Sequence, residues 1–266
     1  MQLKLTVLFV VFFLCSCGKD NSVGSGGRNS NSVPYLVSGF EKYVSTIRIT
    51  DSLNQVISEE ADSEIVKMTG VDETQGQYSG LVCVEASSLS NNLGSEHTWY
   101  KATSDSLVEI AYSGAGGVPL VLPKKGTSSG LSPMSVPPSL WRYVIKKLLT
   151  DSVQIRSDLR VVHRYPFSVG KNWVSFRDPF LQTRTVVGTE YVTVRAGRFL
   201  CWKIATTIDF GGGPLDVEWY DYVATQGLVL RTLYYPHITV TSEASPDSGY
   251  SASITDREEM VSNSEF

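Results

Sequence analysis

The chain has 266 residues, with 23 Lys and Arg against 27 Asp and Glu, a formal net charge of −4 at pH 7. A mildly acidic balance gives no electrostatic footprint for nucleic acid. The length from residue 35 onward suits one sizeable β-rich domain, since barrels and sandwiches run past 200 residues as a single unit.

The first stretch, residues 1 to 16, holds one basic residue, Lys4, and then ten residues from Leu5 to Leu14 of which only Thr6 is polar. That is the layout of a secretory signal, and it falls short of the roughly 20 apolar residues that a permanent spanning helix needs. The segment ends Leu14-Cys15-Ser16-Cys17. This resembles the bacterial lipobox, and the resemblance implies cleavage after residue 16 and lipidation of Cys17, which would anchor the protein to a membrane. The alternative is an ordinary signal peptide cut near Ser16, with Cys17 a free thiol. Two acyl chains suffice for stable anchoring at about 0.8 kcal/mol per buried CH2. Gly18 follows the cysteine where an Asp would resemble an inner-membrane retention signal, so the periplasmic face of the outer membrane is expected. Lys19-Asp20 resembles the start of a surface-export signal, but Asn21 breaks it, and surface display is the minority case.

Cleavage removes Lys4 alone among the charges, leaving 22 basic against 27 acidic residues, a net −5. Of the four cysteines, Cys15 leaves and Cys17 is acylated, so Cys83 and Cys201 remain, both on predicted strands. In an oxidising compartment they form a disulfide candidate. Free cysteine is equally common as a small buried residue, and both alternatives stand.

Residues 17 to 34 are rich in Gly, Ser and Asn and cannot bury a core, so they read as a flexible tether with a reach of about 20 to 25 Å. One β-rich domain is expected over 35–242. Strand signals begin at Lys42 to Thr50, where apolar and polar residues alternate. Ser58 to Glu64 is acidic and reads as a solvated loop. Gly80 to Ala86 is a short strand, and Thr98 to Thr103 with Ser106 to Tyr112 forms a hairpin turning at Ser104-Asp105. Loop composition runs from 113 to 138. The helix expected over Ser139 to Leu149 carries Leu140, Val144 and Leu148 at helical spacing beside Trp141, Ile145 and Leu149. Residues 165 to 235 hold fourteen of the chain's 28 aromatics, so most buried area is expected there. Residues 243 to 266 are polar and read as a frayed tail.

The most strongly patterned run, Thr183 to Ile208, reads as a β-hairpin around Ala196-Gly197. With Gly197 as the left-handed residue of a three-residue loop, Val194 faces Arg198, Val192 faces Leu200 and Glu190 faces Trp202. That register collects Val186, Val192, Val194, Leu200, Trp202 and Ile204 on one face. A second hairpin, Val217 to Val223 with Leu228 to Tyr235, follows the Gly211-Gly212-Gly213-Pro214 turn.

Gly170 and Trp173, then Gly188, Glu190, Val192, Val194, Ala196, Gly197 and Phe199, then Lys203, Trp219, Tyr220 and Gly227-Leu228-Val229 form a pattern over residues 165 to 235. It resembles a widespread group of uncharacterised bacterial envelope lipoproteins. That group is similar in turn to the LolA and LolB lipoprotein carriers, open half-barrels around a hydrophobic cavity. The resemblance implies a mainly β fold, an antiparallel curled sheet or half-barrel with one covering helix. Such a likeness gives fold and not function.

Catalytic chemistry finds no foothold. Gly126-Thr127-Ser128-Ser129-Gly130 spells G-x-S-x-G without the strand and helix that a nucleophile elbow requires. His97, His163 and His237 have no Cys or acidic partner at metal-ligand spacing, and Asp209-Phe210-Gly211 is a turn. No enzyme activity, cofactor or metal is expected. The expected role is to bind a hydrophobic molecule, a lipid or the acyl chains of another lipoprotein, with Trp141, Ile145, Trp173, Tyr191, Trp202 and Trp219 lining the site. The alternatives are that these residues fill a closed core, or that the domain is a structural module of an envelope complex.

Overall fold

The structure is a computed structural model and describes residues 39–89, 95–113, 153–177, 180–209, 211–242 and 245–265. The signal, the tether, Cys17, the helix expected over 139–149 with Trp141 and Ile145, and the G-x-S-x-G run all lie outside the described residues. Among the described residues twelve strands make one sheet. They are β1 (Gly39–Asp51), β2 (Val56–Gln75), β3 (Tyr78–Ser88), β4 (Ser95–Ala102), β5 (Ser106–Ser113), β6 (Gln154–Arg164), β7 (Asn172–Phe176), β8 (Leu181–Val194), β9 (Gly197–Asp209), β10 (Glu218–Ala224), β11 (Gly227–Ser242) and β12 (Ser245–Glu265). Among the described residues there is no helix.

The strand order is β6-β5-β4-β3-β2-β1-β12-β11-β10-β9-β8-β7, and the paired strands all run antiparallel. Every neighbour in the sheet is also a neighbour in sequence, apart from β1 and β12, the first strand and the last. The sheet curls into a nearly closed barrel whose two edges, β6 and β7, come together without a backbone ladder. Side chains bridge them instead. Trp173 Nε1 and Ser175 Oγ both donate to Val161 O, at 3.1 and 2.8 Å, and the Arg177 amide donates to Asp158 Oδ2 at 2.8 Å.

Two stretches read as irregular are strand. The acidic run 58–64 lies in β2 and pairs along β1, Glu60 opposite Ile47 and Glu64 opposite Tyr43. The polar end of the chain is β12, held by β1 on one side and β11 on the other. A strand with two paired edges has its backbone satisfied along its length and needs few apolar side chains, so composition gave no sign of it. Cross-strand charge pairs replace them: Arg231 Nη1 meets Glu258 at 3.1 Å and Arg195 Nε meets Glu259 at 2.9 Å.

The central hairpin is present, with a different register. Val194 faces Gly197, Val192 faces Phe199 and Glu190 faces Cys201, so the loop is the two residues Arg195-Ala196. Gly197 follows it with φ of +137°, a conformation open chiefly to glycine. A bulge then shifts the pairing by one residue between Val186 and Gly188. Because side chains alternate with period two, a one-residue shift exchanges the faces of everything beyond it. On β9 the buried positions are therefore Ile208, Thr206, Ile204 and then Cys201. Leu200, expected on the buried face, is 57% exposed. The hairpin tip reaches across to β12, where the Ala196 amide donates to Met260 O at 3.2 Å.

Apolar side chains gather in three clusters. The largest joins Val186, Val192, Val194, Cys201 and Ile204 to Val223, Leu228, Met260 and Tyr43. A second holds Leu81, Cys83, Trp99, Ile110 and Ala111 on β3 to β5. A third holds Phe176, Phe180, Ile208, Trp219 and Leu233. Cys83 and Cys201 are thus free thiols in separate clusters, and the disulfide expected as one alternative is absent.

Candidate functional site

Between the first and third clusters, on the same strands, lies a charged layer. Along β8 the residues of one parity are Gln182, Arg184 and Val186, all buried. Opposite them on β9 stand Ile208, Thr206 and Ile204. On β10, Trp219 belongs to the third cluster, Asp221 to the charged layer and Val223 to the first cluster. Strand alternation alone accounts for this: a polar residue two places from apolar ones on a buried face is carried inside with them.

Arg184 Nη2 lies 3.2 Å from Asp221 Oδ2, and both side chains are almost wholly removed from solvent. Arg184 Nη1 also donates to Val162 O at 3.1 Å, which ties β8 to β6 across the open seam. Arg231 Nε approaches Asp221 Oδ1 at 2.7 Å, and Trp219 Nε1 donates to the same oxygen at 3.1 Å. Burial by itself raises the Asp221 carboxyl, but the Arg231 and Arg184 guanidiniums and the two donors outweigh it and hold the group well below the ordinary carboxylate range.

A second buried acid lies on β5. Glu109 pairs with Arg156, and with Arg160 Nη1 at 3.2 Å. Burial, with the Glu109 charge adding to it, pushes the nearby Tyr100 hydroxyl up to about 12. Between the two charged groups sits His163, enclosed and pushed down to about 3 by burial and by the Arg184 charge. It is a neutral imidazole, packed edge-on to Phe167 at 5.5 Å. His163 is therefore a core residue.

Among the buried side-chain atoms with no hydrogen-bond partner, which include Arg160 Nε and Tyr235 Oη, are Gln182 Nε2, Gln182 Oε1 and Thr206 Oγ1 beside this layer. Leaving such a group unsatisfied costs about 1 to 3 kcal/mol, and native proteins do so rarely. Alternation from Val186 back through Arg184 to Gln182 was the available signal for these positions.

The expected lining residues divide. Trp173 is buried, donating to Val161 O at the seam, with Phe167 at 6.5 Å. Trp219 is buried against the charged layer. Trp202 is half-buried against Phe167, 5.9 Å between ring centres. Tyr191 is 63% exposed and carries the Arg198 guanidinium 4.5 Å above its ring, so it lines nothing. It alternates along β8 with Val192 and Val194, which are buried, and so points outward. No group of three or more His, Cys, Asp or Glu among the described residues is arranged to hold a metal ion.

The chain matches no protein-family model and no curated protein. Among solved structures it is similar to a protein of Bacteroides fragilis NCTC 9343 described as exported and as having a YmcC-like fold, at 11% identity and a TM-score of 0.39, covering 87% of this chain and 99% of that one. It is also similar to a protein of Parabacteroides distasonis ATCC 8503 described as a lipoprotein, at 13% identity and a TM-score of 0.37, covering 87% of this chain and 99% of that one.

Proposed function

We propose that the chain is a lipoprotein of the bacterial envelope, anchored through Cys17 to the periplasmic face of the outer membrane, and that its barrel binds a hydrophobic molecule, a lipid or acyl chains, without transforming it. The observation that carries this reading is the seam. The sheet is laddered continuously from β6 round to β7 and not between them, so parting these two strands exposes the aromatic third cluster and the charged layer while breaking side-chain bonds alone. Trp173 lies at that opening, and Trp219 shares a cluster with Phe176 of the edge strand. Native mass spectrometry of the full chain carrying Cys17→Ser tests the reading. A bound lipid mass, or uptake of added phospholipid or fatty acid, is expected, and a protein that neither carries nor takes up any lipid overturns it.

A second reading has its own support. Tyr191 and Leu200 face each other across the hairpin and are both exposed, with Arg198 stacked on the tyrosine. Aromatic and arginine side chains are enriched in protein interfaces, which favours a scaffold role in an envelope complex. A photocrosslinker at position 191 that captures one defined envelope protein would support this role, and capture of none would remove it.

A further inference from the structure

We infer that Gln182 and Thr206 form the head-group end of the binding site proposed above, and that the ligand is an apolar chain ending in a neutral amide. The inference rests on that reading and specifies its chemistry. Gln182 is 0% exposed and stands on β8 with Phe176 opposite it on β7 and Ile208 opposite it on β9. Thr206 stands opposite Arg184, one inward position away. The Gln182 carbonyl, the Gln182 NH2 and the Thr206 hydroxyl all lack partners.

The neighbouring charges are paired with one another. Arg184 is engaged by Asp221 and by Val162 O, and Asp221 is engaged by Arg231 as well. Gln182 and Thr206 add a neutral, two-sided group beside them, one amide able to donate and to accept, with a hydroxyl next to it. A ligand amide has the matching N–H and C=O and can satisfy both edges of Gln182 at once. A carboxylate offers acceptors alone, would leave Gln182 Oε1 unserved, and would add a negative charge near Asp221. The apolar body of the ligand would lie against the third cluster, to which Phe176 and Ile208, both opposite Gln182, belong. The seam supplies the way in, since Phe176 belongs to the edge strand β7.

Competition binding with the full chain carrying Cys17→Ser tests the inference. The probes are oleamide and oleate, which share one chain and differ in the head, with N-phenyl-1-naphthylamine as a headless apolar probe. Oleamide is expected to bind at least about tenfold more tightly than oleate, the factor that one well-placed hydrogen bond supplies. Gln182→Met and Gln182→Leu should bring the two lipids to parity while naphthylamine binding is retained, and Thr206→Val should narrow the preference partway. Both Gln182 variants remove unsatisfied polar atoms, so they should melt no lower than the parent, which separates lost recognition from lost folding. Oleamide no tighter than oleate, or a preference that survives both substitutions, overturns the inference and assigns the buried amide to ordered water. In that case naphthylamine binding still upholds the general reading, and failure of all three probes overturns both.

Discussion

Arg184 on β8 and Asp221 on β10 meet at 3.2 Å across the intervening strand β9, each nearly devoid of solvent contact. Removing one member of such a pair leaves an uncompensated buried charge, which costs about 3 to 5 kcal/mol. Asp221→Leu is therefore expected to lower unfolding stability by that amount in a urea titration. Adding Arg184→Met should recover most of the loss, because Arg231 is partly exposed and keeps Glu258 at 3.1 Å. Additive losses in the double variant would contradict the pairing.

Stability should also depend on pH through opposed groups. His163, at about 3 in the folded chain against an ordinary 6.5, refuses a proton that the unfolded chain accepts. Its contribution is fully present above pH 6.5 and is lost as pH falls toward 3. Asp221, also depressed, adds a loss in the same direction below its ordinary value of 3.8. Glu41 runs the other way: burial, partly offset by the Tyr43 hydroxyl, pushes it up to about 7. Its contribution is present below 4.5 and is lost as pH rises through 7. Between pH 4.5 and 6.5, His163→Gln should flatten or reverse any rise of stability with pH, and Glu41→Gln should steepen it. Urea midpoints measured across that window check both signs, and identical slopes in parent and His163→Gln would show that the imidazole titrates normally.

The seam predicts uneven hydrogen exchange. Amides of β6 and β7 that face one another lack ladder partners on that side, whereas β1 and β12 are paired on both sides. Exchange should thus be fastest along β6 and β7. Trp173→Phe and Ser175→Ala each remove one donor to Val161 O, and each should cost about 0.5 to 1.5 kcal/mol. The two substitutions should raise β6 exchange in particular. Uniform protection around the barrel would mean that the seam is as firmly closed as the rest.

The two structured cysteines give a simple chemical check. Burial pushes Cys201 up to about 12 and raises Cys83 as well, so neither thiolate forms at neutral pH in the folded chain. With Cys15 and Cys17 replaced by serine, a thiol reagent should find no reactive group in native buffer and two in denaturant without reductant. None in denaturant would reveal a bridge.

Deletion of residues 245–265 tests the role of β12. A frayed tail could be removed freely, but β12 is the strand through which β1 and β11 are joined. The truncated chain should fail to fold, seen as loss of the cooperative melting transition, and a native-like melt would contradict the topology.

How much of this was legible in the sequence follows from which forces shape each part. Strands β1, β3, β4, β5, β10 and β11 were visible because alternation and β-branched or aromatic content mark a half-buried strand on its own. β12 was not, since its stability comes from backbone pairing on both edges, with Ala252 and Met260 its deeply buried apolar side chains among the described residues. The β8–β9 hairpin was visible and its register was not, because a single extra residue near Val187 leaves no compositional trace. Leu200 was assigned inward for that reason, whereas Tyr191, next to buried Val192, lies outward in either register. The charged layer was hidden for another: Arg184, Gln182 and Asp221 look like surface residues until the parity of their strands is fixed. Their partners sit on other strands, far away in sequence.

The pairing of Gly39 with Glu265 sets the two ends of the described chain side by side in the middle of the sheet, while the edges β6 and β7 are covalent neighbours. The chain thus closes its longest-range ladder first strand to last and leaves its gap at a point that polypeptide already spans. Cutting within residues 165–169 and joining the old ends through a short linker would give a circular permutant that runs as a simple meander from β7 round to β6. Each of its ladders would then be local. With the β1–β12 loop-closure entropy removed, it should fold faster than the natural order while keeping every backbone pair of the sheet.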